Sequence, residues 1–436
     1  MKRFVREPGN KAQEEAVCHL AACATMERGF RSDELDRAVE EELAALRYQW
    51  PGGAGDLAAV MRFALPGWRL AVAPIEPDFV GEALVLVTLA RPEGDGDARW
   101  KKWCAVVERC SRRDRIATPA TLLHAFQNFG HQPGYGEPLL AATDALIRAG
   151  LADSEPGFLL GIENAMPKDT VELLDRAMEV TRHLCERFKT AMHTGRDELR
   201  PEVARLANNL AKRLSELGRR EDALAPAQES VEMYRAQARR NPDAFEPDLA
   251  GSLNNLANHL SNLGRREEAL APAQEAVELY SALAVRNPDA FQPDLAMSLN
   301  NLATFLSELG RREEALAIAQ EAVELRRALA LRNPDAYQPN LATSLGSASR
   351  VLTGLGRTQE AAVALAEGIK TLLPQFARLP RAFAPLMHAL LLDYIAAAKA
   401  AQMEPDVELL APVIEVFEKL GAEEAAGGSE GTGQKG

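Results

Sequence analysis

The sequence has few aromatic residues, few cysteines and no long apolar run. Aromatic side chains make up 6% of the 436 residues, and the five cysteines contain no Cys-x-x-Cys pair of the kind found in zinc or redox sites. Their odd number and scattered positions predict reduced thiols in a cytoplasmic protein. No stretch approaches the roughly 18 apolar residues of a membrane span, and the first 15 residues have no apolar core. We therefore predict a cytoplasmic protein without a membrane partner.

Positive charge is also scarce relative to negative charge. The chain has 50 Lys and Arg against 63 Asp and Glu, so its net charge is −13 and nucleic acid is not the expected partner. No GxxxxGK[ST] phosphate-binding loop occurs, and the glycine cluster at 51–56 lacks a lysine and predicts a turn. No serine or cysteine lies in a recognisable nucleophile elbow. We therefore predict that the protein is not an enzyme and binds no cofactor.

One group of possible metal ligands lies on neighbouring turns of a predicted N-terminal helix. It consists of Cys18, His19 and Cys23. Such residues on an apolar helix favour a role in core packing, with a metal site as the alternative.

The second half of the chain is filled by four copies of one 46-residue unit. The copies begin at Leu206, Ser252, Ser298 and Ser344, and the last is degenerate. A period of this size predicts a solenoid, an architecture that binds partners more often than it catalyses. Apolar residues three and four apart, as in Leu253, Leu256 and Leu260, predict two amphipathic helices in each copy.

The boundaries of these helices are predicted from glycine and proline. A Leu-Gly pair ends the first helix, as at Leu263-Gly264, and an Asn-Pro pair ends the second, as at Asn287. A second proline, such as Pro293, is predicted to open the next first helix. The aromatic residues between the two prolines then fall in a loop, where we expect them to plug adjacent repeats: Phe245, Phe291, Tyr337 and Phe383.

Small residues recur at equivalent positions of both helices, including Ala257, Ala269 and Ala276. Together with the Leu-Ala and Leu-Gly pairs they make each copy resemble the tetratricopeptide repeat. That family's unit is about 34 residues long, so the resemblance implies longer helices and a longer loop here. It also implies that a groove lined by the first helices holds a protein or peptide.

The first 168 residues show no repeat. Three helical patterns followed by an extended WRLAVAPIEP predict a mainly helical, winged-helix-like region at 1–92, and further helical patterns predict a connector at 93–168. The segment PIEPDFVGEALVL resembles the region after the nucleotide-binding core of bacterial signal-transduction ATPases with tetratricopeptide arrays. We expect the solenoid at 169–421, with half-repeats at its ends, and a disordered tail at 422–436.

An asparagine ladder on the first helices is the main candidate binding site. Its amides offer both donors and acceptors to an extended peptide backbone. Nearby side chains are suited to a carboxylate of the ligand, and the alternative is that the amides join neighbouring helices and set their register. The predicted site residues are Asn209, Asn255, Asn301, Lys212, Asn258, Thr304, Arg350 and Arg205.

A second periodic feature is the pair of arginines after each Leu-Gly turn, such as Arg265 and Arg266. Acids follow three residues later, as at Glu268, so we expect the arginines to be neutralised locally rather than to bind an acidic partner.

The sequence thus predicts an all-α protein, an α-solenoid preceded by a helical region, that acts as a scaffold or sensor for a protein or peptide. A DNA-binding regulator is one alternative, although the acidic helix at 32–47 argues against phosphate contact. The other is the sensor half of a signalling ATPase whose nucleotide-binding domain is on another chain.

Overall fold

The structure is a computed structural model, and it describes residues 11–65, 82, 85, 96–132, 134–167 and 171–430. Within these ranges the chain forms eighteen α-helices and no β-strand, which confirms the all-α prediction. The chain divides into two compact units, Met1–Leu217 and Gly218–Gly436, here called the N-terminal and C-terminal units. The predicted domain boundaries at 92, 168 and 421 stay predictions.

Helix α1 is the centre of the N-terminal unit. Every side chain from Leu20 to Ala24 is fully buried, and the helix contacts α2, α3, α4 and α5. The helices of this unit are α1 Lys11–Met26, α2 Ser32–Leu46, α3 Gly53–Ala64, α4 Gly96–Arg113, α5 Ala117–Phe129, α6 Gly136–Ala152, α7 Pro156–Ala165, α8 Leu174–His193 and α9 Arg200–Glu216.

Two sequence predictions for the N-terminal unit have different outcomes. The helical pattern expected upstream of the repeats lies in α8 and α9, which pack against each other, and Pro201 lies in the first turn of α9. The extended WRLAVAPIEP segment lies outside the described residues, as does PIEPDFVGEALVL except for Glu82 and Val85. The winged-helix-like region and the ATPase resemblance are therefore not confirmed.

The C-terminal unit is a row of helical hairpins, each packed against the next. A full repeat contains a 21-residue first helix, a three-residue turn, a 21-residue second helix and a single asparagine. The helices are α10 Arg220–Ala238, α11 Pro242–Asn262, α12 Arg266–Arg286, α13 Pro288–Glu308, α14 Arg312–Arg332, α15 Pro334–Gly354, α16 Thr358–Arg378, α17 Pro380–Ala400 and α18 Val407–Glu430.

The prediction that the second proline opens the first helix is wrong. Helix α13 begins at the first proline, Pro288, and contains Pro293, so the predicted loop around Phe291 is helical. Proline is favoured at the first helical position because its missing N–H has no intrahelical acceptor there. Pro293 is the sixth residue of the helix, where it removes the hydrogen bond that its N–H would donate to the carbonyl of Asp289. The residues beyond the usual repeat length thus lie in longer helices.

The Leu-Gly turns are confirmed. Gly264, Gly310 and Gly356 have φ values of +75°, +79° and +73°, in the left-handed region that glycine adopts without a steric cost. The backbone N–H of Arg265 then donates to Leu260 O over 2.9 Å and closes the end of the helix.

The C-terminal end of the chain differs from the expected disordered tail, because α18 extends to Glu430. Among the described helices, α17 has the length and apolar character of a membrane span by composition. It is the first helix of the last hairpin, and it buries Met387, Leu390 and Tyr394 against its neighbours.

Candidate functional site

The first helices of the C-terminal unit form a continuous face. Helix α11 contacts α13, α13 contacts α15, and α15 contacts α17, in addition to the contacts within each hairpin. Because the repeat is constant, equivalent positions on these helices stand beside one another along the row. A segment that lies across the row meets the same position of each repeat in turn.

The asparagines of this face join successive first helices. Asn301 Nδ2 on α13 donates to Asn254 Oδ1 on α11 over 3.0 Å, and Asn300 Nδ2 donates to Ser344 Oγ on α15 over 2.6 Å. Asn254 is buried, whereas Asn255 and Asn301 are half-buried. These hydrogen bonds connect neighbouring first helices, and Asn255 and Asn301 stay half-buried at the surface of those helices.

The neighbouring predicted residues are more exposed. Asn258 is half-buried, and Thr304 is exposed with its hydroxyl donating to Asn300 O over 2.9 Å. Arg350 is 66% exposed and lies 3.6 Å from Asp393, measured from Nε to a carboxylate oxygen. Such an exposed pair contributes little to stability, so Arg350 exchanges partners at low cost.

The predicted residues on α9 lie in the N-terminal unit, where α7 occupies part of their surroundings. Asn209 Nδ2 donates to Glu163 Oε1 over 3.4 Å, and Arg205 contacts both Glu202 and Asn164. Lys212 is exposed and lies 3.8 Å from Glu216. The structure thus places Asn209 and Arg205 against protein groups, and the role of all eight predicted residues in binding stays a prediction.

Three segments of the chain match a known family of repeats. Residues 203–236, 249–288 and 295–334 match the family model of the tetratricopeptide repeat. These segments are tetratricopeptide repeats.

Several solved structures are similar to part of the chain. BtubC (BKLC) from P. vanneervenii is 17% identical, with alignment over 59% of this chain and 93% of that one and a TM-score of 0.43. A putative kinesin light chain from Podosopora anserina with nearly identical TPR-like repeats is 20% identical over 50% of this chain and 97% of that one, with a TM-score of 0.39. A Rap protein complexed with competence and sporulation factor is 15% identical over 76% and 93%, with a TM-score of 0.36. A search of curated proteins found no match.

A buried arginine in the third tetratricopeptide repeat was missed by the sequence reading. Arg326 on α14 is 7% exposed, and its Nε has no hydrogen-bond partner. Burial lowers the pKa of Arg326 below its ordinary value, against the opposing effect of Tyr337 and Asp294. The signal in the sequence was a departure from the repeat, since the equivalent positions hold Tyr234 and Tyr280.

The equivalent tyrosine shows which surface this position approaches. The hydroxyl of Tyr280 lies 3.3 Å from the point where a Cβ of Gly251 would stand on the first helix α11. The residue equivalent to Gly251 in the next repeat is Met297, which is 41% exposed on α13. By this equivalence the position of Arg326 on α14 faces α13 near Met297.

The turn arginines of the tetratricopeptide repeats are neutralised locally, as predicted. The first arginine of each turn pairs with an acid three residues later at 2.5–2.6 Å, and these groups are solvent-exposed: Arg219–Asp222, Arg265–Glu268, Arg311–Glu314 and Arg357–Glu360. The second arginine differs, since Arg266 pairs with Glu308 of the next first helix over 2.7 Å. The plugging role of the aromatics is confirmed for Phe291 and Tyr337, which pack against core clusters that join neighbouring hairpins.

A second polar cluster lies inside the N-terminal unit. His19 Nε2 is 2.8 Å from Glu42 Oε2, and Arg109 and Arg113 donate further hydrogen bonds to the Glu42 carboxylate at 2.7–3.1 Å. Burial opposes ionisation here, but these donors hold the pKa of Glu42 well below its usual range. Against the same opposing effect of burial, Cys23 and Glu42 raise the pKa of His19. The predicted group of His19 and Cys23 is therefore buried, but it belongs to a charged network.

Proposed function

We propose that this chain is a non-enzymatic protein-interaction module whose first-helix face binds a protein or an extended peptide segment. The tetratricopeptide repeats support an interaction scaffold in general. The finer proposal assigns backbone recognition to the half-buried amides of Asn255 and Asn301, with Asn258 and Thr304 beside them. Arg350 binds an acidic group of the ligand. Asn209 and Lys212 occupy the equivalent positions of α9, Arg205 lies one helical turn before Asn209, and all three are proposed to make contacts of the same kind.

The observation that carries this proposal is Arg326, a buried arginine whose Nε has no hydrogen-bond partner. A buried guanidinium with an unmade hydrogen bond destabilises a fold, because nothing replaces the lost hydration of that N–H, and the nearby Asp294 opposes only part of the effect of burial. Two other repeats hold a tyrosine at this position, so the fold does not require a cation there. A carboxylate of the ligand beside this position would offset the buried positive charge. We infer that the ligand is acidic where it crosses the third repeat.

The first test compares amide variants on the two kinds of helix. The N209A/N255A/N301A variant removes the ladder, and the matched control Q228A/Q274A/Q320A removes three exposed amides at equivalent positions of the second helices. Each is used to capture partners from native extract, with detection by mass spectrometry. We expect the wild type and the control to retain a partner that the asparagine variant loses at unchanged helicity and melting temperature.

Two other results would argue against the groove. A fall in melting temperature of the asparagine variant, with the partner retained, assigns the ladder to register alone. If the asparagine variant keeps its helicity and melting temperature and still retains the partner, the binding site lies elsewhere in the chain. R326Y gives an independent check, because it introduces the residue of the neighbouring repeats and should weaken capture of an acidic partner without loss of structure.

A further inference from the structure

Three helices of the N-terminal unit bring four metal-ligating side chains together. His19 and Cys23 are one turn apart on α1 and so share a face, Glu42 comes from α2 and Cys110 from α4. One ligand atom each of His19, Cys23 and Glu42 lies within 4.8 Å of the others. Cys110 Sγ accepts a hydrogen bond from Arg113 Nη2 over 3.4 Å, and the same nitrogen donates to Glu42 Oε1 over 2.8 Å, so Cys110 lies beside this group. All four residues are at most 5% exposed.

The donor set selects a class of metal ion. Thiolate, imidazole and carboxylate together are the ligands of Zn²⁺, whereas Ca²⁺ and Mg²⁺ require oxygen ligands only. Four protein ligands complete a tetrahedral shell without a coordinated water, which is the arrangement of structural zinc sites. The complete burial of the cluster agrees with a closed site, since no substrate reaches it.

The surroundings of the cluster provide the support that a zinc site needs. Glu42 is oriented by Arg109, which donates from both Nε and Nη2, and by Arg113. Hydrogen bonds of this kind fix ligating carboxylates. The two thiolates and the Glu42 carboxylate exceed the charge of Zn²⁺ by one, and the adjacent guanidinium groups balance that excess.

We propose that His19, Cys23, Glu42 and Cys110 bind one Zn²⁺ ion, which ties α1, α2 and α4 together. Zinc would replace the proton between His19 Nε2 and Glu42 Oε2, and these atoms, now 2.8 Å apart, would separate to accept metal–ligand bonds of about 2 Å each. Binding releases the thiol protons of Cys23 and Cys110 and leaves His19 neutral. The site is structural, so its loss loosens the N-terminal unit and leaves the tetratricopeptide repeats folded.

The test measures zinc and then substitutes a spectroscopic probe. The full chain is purified under reducing conditions, and its metal content is determined by mass spectrometry after gel filtration, with about one zinc per chain expected. Exchange with Co²⁺ should give a thiolate-to-cobalt charge-transfer band and the ligand-field bands of a tetrahedral ion. The C18A/C104A/C185A variant keeps only the two cysteines of the proposed site and should retain zinc and both sets of bands.

Variants of the site complete the test. C23S and C110S should lose the charge-transfer band, and R109Q should weaken metal affinity about 10- to 100-fold by releasing Glu42. If C23S fails to fold, the C18A/C104A/C185A variant still tests the proposal. Any thiolate-to-cobalt band in that variant must come from Cys23 or Cys110, because no other cysteine remains. Absence of zinc and cobalt bands from the folded, reduced chain overturns the proposal. Zinc retained unchanged by C23S, or a Cys23–Cys110 disulfide as the resting state, also overturns it.

Discussion

Among the described residues, the N-terminal unit contains a network of buried ion pairs, whereas the ion pairs of the C-terminal unit are exposed or half-buried. Arg113 is 8% exposed and joins Glu27 and Glu42, which lie 86 and 71 residues away in sequence. Arg265 is 40% exposed and pairs with Glu268 in the same helical turn. The N-terminal unit thus depends on one central network that connects distant segments, whereas the repeats depend on many small contacts between neighbours. A single substitution should be severe in the first and local in the second.

The largest effect is expected from R113M, which leaves Glu27, Glu41 and Glu42 without their shared partner. Removal of one side of a buried ion pair costs about 3–5 kcal/mol. Urea unfolding measures it, with tryptophan fluorescence as the probe, because all four tryptophans lie within the first 103 residues. Far-ultraviolet circular dichroism of the same samples follows the repeats. If both signals shift together, the two units do not unfold separately and the comparison fails.

A smaller effect of opposite sign is expected from R326Y. The substitution removes a buried guanidinium whose Nε makes no hydrogen bond and introduces the tyrosine of the neighbouring repeats. The free energy of unfolding of the C-terminal unit should rise by about 1–3 kcal/mol. Thermal unfolding by circular dichroism measures the gain. The reverse substitution Y280R serves as the control and should destabilise the unit. Destabilisation by R326Y would show that Arg326 has a partner within the fold.

The pH dependence of the repeats should change in H259F. Burial lowers the pKa of His259, and its Nε2 has no hydrogen-bond partner. The unfolded chain therefore binds the proton first, so stability present above the unfolded pKa of about 6.5 is lost as pH falls towards the folded pKa, by at most about 1.4 kcal/mol per pH unit. The next repeat holds Phe305 here, so H259F should remove this slope between pH 7 and 5. An unchanged slope would assign the pH dependence to other groups.

The smallest effect is expected from R265A/R311A/R357A. These exposed pairs are screened by solvent, and side-chain entropy opposes them. We expect no measurable change in urea midpoint at physiological salt. A clear loss of stability would show that the exposed ion pairs of successive turns stabilise the C-terminal unit together. The difference between the effect of this variant and that of R113M would then be smaller than expected.

The sequence predicts the hairpins well because their signals are local. Apolar spacing and the left-handed glycine at Gly264 act within one helix and its turn, and a single repeat suffices to detect them. Two prolines five residues apart, Pro288 and Pro293, both satisfy the rule for a helix start. The rule alone does not choose between them, and the structure chooses the first.

The candidate sites are less predictable because they depend on contacts between helices. His19 and Cys23 share a helix face and were recognised, but Glu42 and Cys110 become their neighbours only through packing of α2 and α4. The asparagine ladder was recognised as a repeated pattern. The particular bond from Asn301 to Asn254 depends on the distance between two first helices, which periodicity does not encode. Arg326 was visible only as a break in the repeat.

The single asparagine between hairpins has a mechanical consequence. At Asn287 and Asn333 the chain passes from a 21-residue helix directly into another, with no slack that would let one hairpin swing free of the next. A force applied at one hairpin is therefore carried to its neighbour as elastic strain rather than absorbed by a hinge. The C-terminal unit should behave as a stiff spring, and a partner that clamps one repeat changes the curvature offered by the others.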